Sequence, residues 1–486
     1  MKLPQVVLLC GLALACATLI AQPDYVLHAT PIGPAPVDPA IARALAAIKP
    51  SQIHQTIEKL VSFGTRNTLS SMDTNLPSDQ GINAAADWIA GQFEAISHVC
   101  GGCLEVKRDT FTADPASGAR WARRIPKPTQ ITNVYAILRG TDPEQARRMV
   151  LVTGHYDSIN SNVLKNWADT SGAAPGANDD ASGVAVSLEC ARTLSKLKFP
   201  GTIVFAAVAG EEQGLVGSAH LAKLAKDEGW DLEAVLNNDI VGGNTTPGDT
   251  LQLKDRVRVF SEGVPQAATP EEALRIRDLG KESDSPSREL ARSIADTART
   301  YFSKQGAVKP FSAFLVDRPD RYLRGGDHSS FNHEGFAAVR FTEWREDYNH
   351  QHKNVTQPGP GSAIPVMGDL IEFVDFIYVA QVARLNAAVL ATLAAAPGEP
   401  QKVTIVNKMT ENGTTLTWEP PTGGGVAHYE VLWRETTSNN WQYVKQLAAT
   451  STEGPVTVSV PISKDNVIFG VRAVDANGHR GLVVAP

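Results

Sequence analysis

Four short stretches set acidic or imidazole side chains just past segments rich in β-branched residues. They are GHYDS with His155 and Asp157, APGANDDASG with Asp179 and Asp180, AGEEQGLVGS with Glu211 and Glu212, and LNNDIVGG with Asp239. Singly, each has an ordinary structural explanation. An Asp before a helix is first an N-cap, the reading for Asp180, and an Asp before Gly is first a turn residue. Two positions apart in a strand, His155 and Asp157 point to one face, so Asp157 can orient the imidazole through a hydrogen bond. Taken together, the four stretches say more. If the segments are successive strands of one parallel sheet, their carboxyl ends converge. Asp179, Glu212 and Asp239 then meet beside Glu211, a cluster that is costly without cations. Two zinc ions bring +4 and bring it near neutrality. Such a pair, sharing one carboxylate, needs His155 and Asp239 on one side and Glu212 with a further His on the other. The stretch FTEWREDYNHQHKN offers His350 and His352, and periodicity does not choose between them.

The elements that must position these groups follow from the hydrophobic pattern. Residues 41–63 and 81–96 carry helical spacing, and 130–138, 148–153, 202–209, 232–240 and 337–341 read as short strands. Helices are expected at 183–197 and 215–226, between the later strands, with a long closing helix at 368–393. This alternation predicts an α/β fold, a mostly parallel central sheet flanked by helices, with ligands at the carboxyl ends of the strands. Residues 241–300 are polar and broken by Gly and Pro; they read as an insertion over the sheet edge, with one helix at 287–302. AAAPGEP, at 394–400, reads as a linker. Beyond it, six strand-like segments separated by turn residues predict a small all-β sandwich over 398–486.

A chain of 486 residues with 43% hydrophobic content can bury a sizeable core, and a net charge of −7 argues against a nucleic-acid binder. Met1-Lys2, the apolar run 6–14 and the small residues after it read as an export signal over residues 1–21. The mature protein, 22 onward, is expected to be secreted or periplasmic; lipid anchoring at Cys16 is the less favoured reading. No later run reads as a bilayer span. In an exported chain, Cys100-Gly-Gly-Cys103 reads as a small disulfide loop, and Cys190 as a buried free thiol.

The phrases LTWEPP, YEVLWRE and FGVRAVDANGHRG resemble a fibronectin type III domain over roughly the last 85 residues. Such a domain implies a spacer or a surface for a polymer or protein, without catalysis of its own. GHYDS, APGANDDASG, AGEEQGLVGS and NND, in this order, resemble the secreted bacterial zinc aminopeptidases of metallopeptidase family twenty-eight, across roughly residues 45–395. The resemblance implies two zinc ions per chain held by His155, Asp179, Glu212 and Asp239, with Asp179 bridging them and Glu211 as general base. The family's last ligand is a His followed four places on by Asp. Here that spacing pairs His350 with Asn354 and selects His350, with His352 as the alternative. The implied substrates are peptides with a free N-terminus; carboxypeptidase and glutaminyl cyclase relatives share the fold. A non-catalytic adhesion protein is the reading from another class. Asp327 to Ser330 in GGDHSSFNHEG form a further polar cluster near the site; His328 and His333 are alternative ligands if the last His lies elsewhere, with supporting or turn roles favoured, and Glu343 and Arg345 are expected to line the pocket.

Overall fold

The computed structural model describes residues 22–303, 308–359, 362, 365–406, 411–449 and 454–486. The expected export signal lies outside the described residues. A two-residue strand, β1 (Thr30–Pro31), precedes eight strands that form one sheet: β2 (Leu104–Ala113), β3 (Thr129–Leu138), β4 (Arg148–His155), β5 (Thr202–Val208), β6 (Asp231–Asn238), β7 (Arg256–Ser261), β8 (Ser312–Val316) and β9 (Ala338–Thr342). Their order across the sheet is β2-β3-β5-β4-β6-β9-β7-β8. The four strands β5, β4, β6 and β9 run parallel at its centre.

Every residue of β4 and β5 is buried, as parallel strands covered on both faces require. The two faces can be read from alternate residues. Ile203, Phe205 and Ala207 of β5 join Val150 and Val152 of β4 in a core with helices Ala181–Leu194 and Phe376–Ala395. Val204, Ala206 and Val208 join Leu151, Leu221 and Phe331 beneath helix Val216–Asp227 and helix His328–His333. Because β4, β5 and β6 are parallel and paired in register, His155, the Glu211–Glu212 loop and Asp239 emerge at the same edge of the sheet.

Three strands of the sheet, β2, β7 and β8, are not among those expected. β2 is an edge strand on which only Leu104 and Ala113 are buried, and its sequence LEVKRDTFTA mixes its few apolar residues with charged and hydroxyl ones, so no alternation betrays it. β7 lies within the stretch expected to be an insertion, yet it pairs with β9 and β8 as part of the sheet. Helix Pro286–Tyr301 packs on β7, β8 and β9. Helix Phe376–Ala395 is, by length and composition, apolar enough to cross a bilayer, which the sequence reading did not anticipate. It is mostly buried against helices Pro50–Ser62, Ala181–Leu194 and Pro286–Tyr301.

The C-terminal strands are β10 (Gln401–Ile405), β11 (Thr414–Glu419), β12 (His428–Glu435), β13 (Tyr443–Ala448), β14 (Val456–Val460) and β15 (Val467–Val474). They form two small antiparallel sheets, β1-β13-β12-β15 and β10-β11-β14, over a core of Trp418, Tyr429, Trp433, Phe469 and Val471. The sandwich is joined to the larger unit through charge: Arg434 pairs with Asp284, Arg472 with Asp296 at 3.1 Å, and Trp441 Nε1 donates to Glu289 Oε2 at 2.8 Å. The stretch 22–39 completes it, with β1 pairing β13 and Trp433 Nε1 donating to Tyr25 O. Cys100 and Cys103 are disulfide-bonded, and Cys190 is a buried free thiol.

Candidate metal centre

Buried carboxylates hold the loops of the site from behind. Asp180 caps helix Ala181–Leu194 through Gly183 N, the role expected of it, and does more. Its two oxygens also accept from His155 N at 3.0 Å and Ile240 N at 3.3 Å, so one carboxylate ties the ends of β4 and β6 to the start of a helix. The backbones meet so closely that a Cβ at Gly154 would lie 2.5 Å from Gly183 C; a side chain there would push the helix off the strand. Asp369 accepts from the backbone N–H groups of Asn178 and Asp179, and burial pushes its carboxyl up to about 7. Asp157, fully buried, accepts from Glu211 N at 3.3 Å and Glu212 N at 3.1 Å, and its Oδ1 lies 3.4 Å from His155 Nδ1. The backbone carbonyl of Asp157 lies closer to the same Nδ1, at 3.2 Å, and its carboxylate sets the backbone carrying both glutamates.

In front of these supports, the donor atoms fall into two groups that share one residue. His155 Nε2 stands 3.1 Å from Asp179 Oδ1 and 3.9 Å from Asp239 Oδ1. His352 Nε2 stands 2.9 Å from Asp179 Oδ2 and 2.8 Å from Glu212 Oε1. His155, Asp179 and Asp239 form one potential metal group, and Asp179, Glu212 and His352 the other. Three of these buried atoms, His155 Nε2, His352 Nε2 and Glu212 Oε1, make no hydrogen bond although oxygen or nitrogen atoms crowd them. Buried polar atoms are ordinarily paired, and lone pairs converging without hydrogen-bond geometry fit a shared cation. Imidazole and carboxylate donors of this kind suit zinc.

Glu211 belongs to neither group but lines the same cavity of about 410 Å³. Burial pushes its carboxyl well up, with Asp239, Glu212 and Asp327 adding to the rise and His155 opposing it; cations in the site would draw it back toward the ionised form.

His350 is not where the motif spacing put it, and the expectation is corrected. Its Nε2 lies 2.9 Å from Thr246 Oγ1, its Nδ1 donates to Gly368 O at 3.2 Å, and its ring stacks on Phe373. The chain turns through a left-handed residue at His352, with φ at 55°, and it is this second imidazole that faces Asp179. Asn354, at the position of the expected Asp, instead donates to Asn162 Oδ1. Glu343 and Arg345 do not line the cavity: Glu343 is buried against Asn178 and Asn244 N, and Arg345 pairs with Asp249. His328 Nε2 bonds Pro319 O and His333 Nδ1 bonds Ser329 O, and neither joins the two donor groups.

Besides Asp369, two residues that touch the donor groups escaped the sequence reading. Arg340 of β9 is fully buried, with Nη1 2.7 Å from Asp239 Oδ2 and 3.5 Å from Asp320 Oδ2; an arginine inside the apolar strand AVRF was the available signal. Gln351 Nε2 donates to Asp179 Oδ2 at 2.9 Å, and nothing in its sequence context marks it.

A parallel sheet whose strand ends gather histidine and carboxylate donors around a cavity is the arrangement of a metal-dependent hydrolase. Residues 133–372 match Peptidase family M28. A probable zinc metalloprotease of Pyricularia oryzae is 43% identical over 460 residues, covering 92% of this chain and 84% of its own length. One of Leptosphaeria maculans is 41% identical, covering 94% and 98%. The chain belongs to peptidase family M28 and is a zinc-dependent peptidase. These relatives are fungal, so they do not support the bacterial cast of the sequence resemblance. Among solved structures, LapA aminopeptidase of Legionella pneumophila aligns with a TM-score of 0.47 at 20% identity, over 74% of this chain and 76% of its own. A glutaminyl cyclase of Bacteroides thetaiotaomicron aligns at 0.45 and 16%, over 71% and 98%.

Proposed function

We propose that the chain is an exported aminopeptidase that uses two zinc ions, one held by His155, Asp179 and Asp239 and the other by Asp179, Glu212 and His352. The observation that carries this reading is that two donor groups share Asp179 while Glu211 stands beside them, uncommitted, on the wall of one cavity. Zinc, when bound, polarises a scissile carbonyl and lowers the pKa of water. The chain's own groups do the rest. Glu211 takes a proton from the attacking water and delivers it to the leaving amine, a task suited to a carboxyl raised by its surroundings. Asp157 keeps His155 in register and fixes the Glu211 backbone; Asp180 and Asp369 hold the loops of Asp239 and Asp179.

The leader over residues 1–21 and the Cys100–Cys103 disulfide support export. The C-terminal sandwich is a fibronectin type III-like domain. Its buried ion pairs with the larger unit and its pairing with β1 support a scaffold role alongside any polymer or protein it binds.

The test is a panel of amino-acyl amides and N-acetylated peptides, with metal content measured in parallel. Release of N-terminal residues from unblocked substrates by protein carrying two zincs is expected. Cleavage restricted to N-blocked peptides contradicts the aminopeptidase reading.

A further inference from the structure

The cavity over the metal centre carries more positive charge than the reaction described above requires. Arg124, Arg321 and Arg324 all line it. Arg321 is already committed, its Nη1 2.6 Å from Glu346 Oε2 and its Nε 3.1 Å from Asp320 Oδ1. Arg124 and Arg324 face no carboxylate among the described residues. Arg124 donates to the backbone oxygen of Glu212 at 3.2 Å and lies 5.0 Å from the ring centre of Trp167; Arg324 lies 5.9 Å from that of Tyr348. Both are exposed, and each is steadied by an aromatic face rather than by an opposite charge.

The charges in the cavity then do not cancel. Its lining acids are Asp179, Glu211, Glu212 and Asp239, together −4, which the two zinc ions proposed above offset. With Arg321 balanced by its own partners, Arg124 and Arg324 remain as two unmatched guanidinium groups at the mouth of a cavity of about 410 Å³. That size suits a small ligand such as a short peptide. Guanidinium groups match carboxylates in shape and charge and bind them through paired, charge-assisted hydrogen bonds. Ile159, Leu164 and Leu323 supply apolar surface on the same walls.

We propose that Arg124 and Arg324 hold a carboxylate of the substrate, so that the enzyme selects short peptides with a negative charge near the scissile bond. The inference rests on the two-zinc reading for its charge balance. The carboxylate has two sources, the free C-terminus of a dipeptide or an acidic side chain.

The full-length, zinc-loaded protein is assayed on Leu-Leu against Leu-Leu amide, and on Leu-Glu amide against Leu-Gln amide. The first pair reads a terminal carboxylate and the second a side-chain one. At least one charged substrate is expected to be preferred by about ten-fold or more in kcat/KM, mainly through KM. The preference should shrink in Arg124→Ala and in Arg324→Ala, vanish in the double variant and return in part with Lys. Ratios near one for both pairs in the wild type, or a preference that survives the double variant, overturn the proposal. Calorimetric binding of the same pairs to Glu211→Gln, alone and with the arginine substitutions, gives the ratio without turnover. N-acetyl-Leu-Leu separates the two readings: its exclusive cleavage sinks the aminopeptidase assignment, while the charge preference is still decided by the ratios.

Discussion

Nε2 of His352 lies 2.9 Å from Oδ2 of Asp179, on the side of that carboxylate away from His155. Two residues earlier, His350 is turned to Thr246 and Gly368. His352→Ala should therefore lower zinc from two per chain toward one and reduce activity at least a hundred-fold. His350→Ala should keep both metals. Elemental analysis of the purified variants checks this, and the reverse result would restore the expectation from motif spacing.

Asp157 accepts hydrogen bonds from two consecutive backbone N–H groups and approaches His155 Nδ1. In Asp157→Asn one acceptor becomes an amide donor facing a donor. Metal affinity or activity should fall by about 10- to 100-fold, the usual scale for losing a partner behind a ligand. Zinc titration with a competing chelator measures it.

Arg340 is fully buried between Asp239 and Asp320, and its guanidinium helps hold the Asp320 carboxyl well below the usual range against the opposing effect of burial. Arg340→Met leaves those acids facing each other. A loss of about 3–5 kcal/mol is expected for breaking such a buried pair. The loss should be larger in the metal-free protein, where no cation helps Asp239; denaturant unfolding with and without zinc tests this.

At the seam between the two units, burial opposes ionisation of Asp296 and Glu430. Arg472 and Arg480 outweigh it and hold both carboxyls below their ordinary values. The sign follows from linkage: a depressed folded pKa gives stability that is present above the unfolded value, about 4, and lost as pH falls through the folded one. The attachment of the sandwich should thus weaken below about pH 4. Asp296→Asn should be less stable at pH 7 and show a flatter acid limb in thermal unfolding followed across pH.

The sequence carried the core of this site because the core follows simple rules. β4 and β5 are largely apolar and β6 has an apolar centre, and the polar residues that end or follow them, His155, Glu212 and Asp239, stand out against them. The edge of the sheet was not legible. β2 mixes apolar with charged residues at the sheet edge, and β7 hides among polar, Gly-rich loops. The choice between His350 and His352 depends on the left-handed turn at His352, which no spacing encodes. The pairing of β1 with β13 joins residues more than 400 positions apart, and neither segment signals the other.

The central claim is that adjacent glutamates have separate tasks, with Glu212 on a metal and Glu211 moving the proton. Glu211→Gln keeps the size of the side chain and removes its basicity. Zinc content and kcat measured together on that variant decide the matter. Two zincs per chain with turnover reduced by at least a thousand-fold is the predicted result; loss of a zinc, or near-normal turnover, would contradict it.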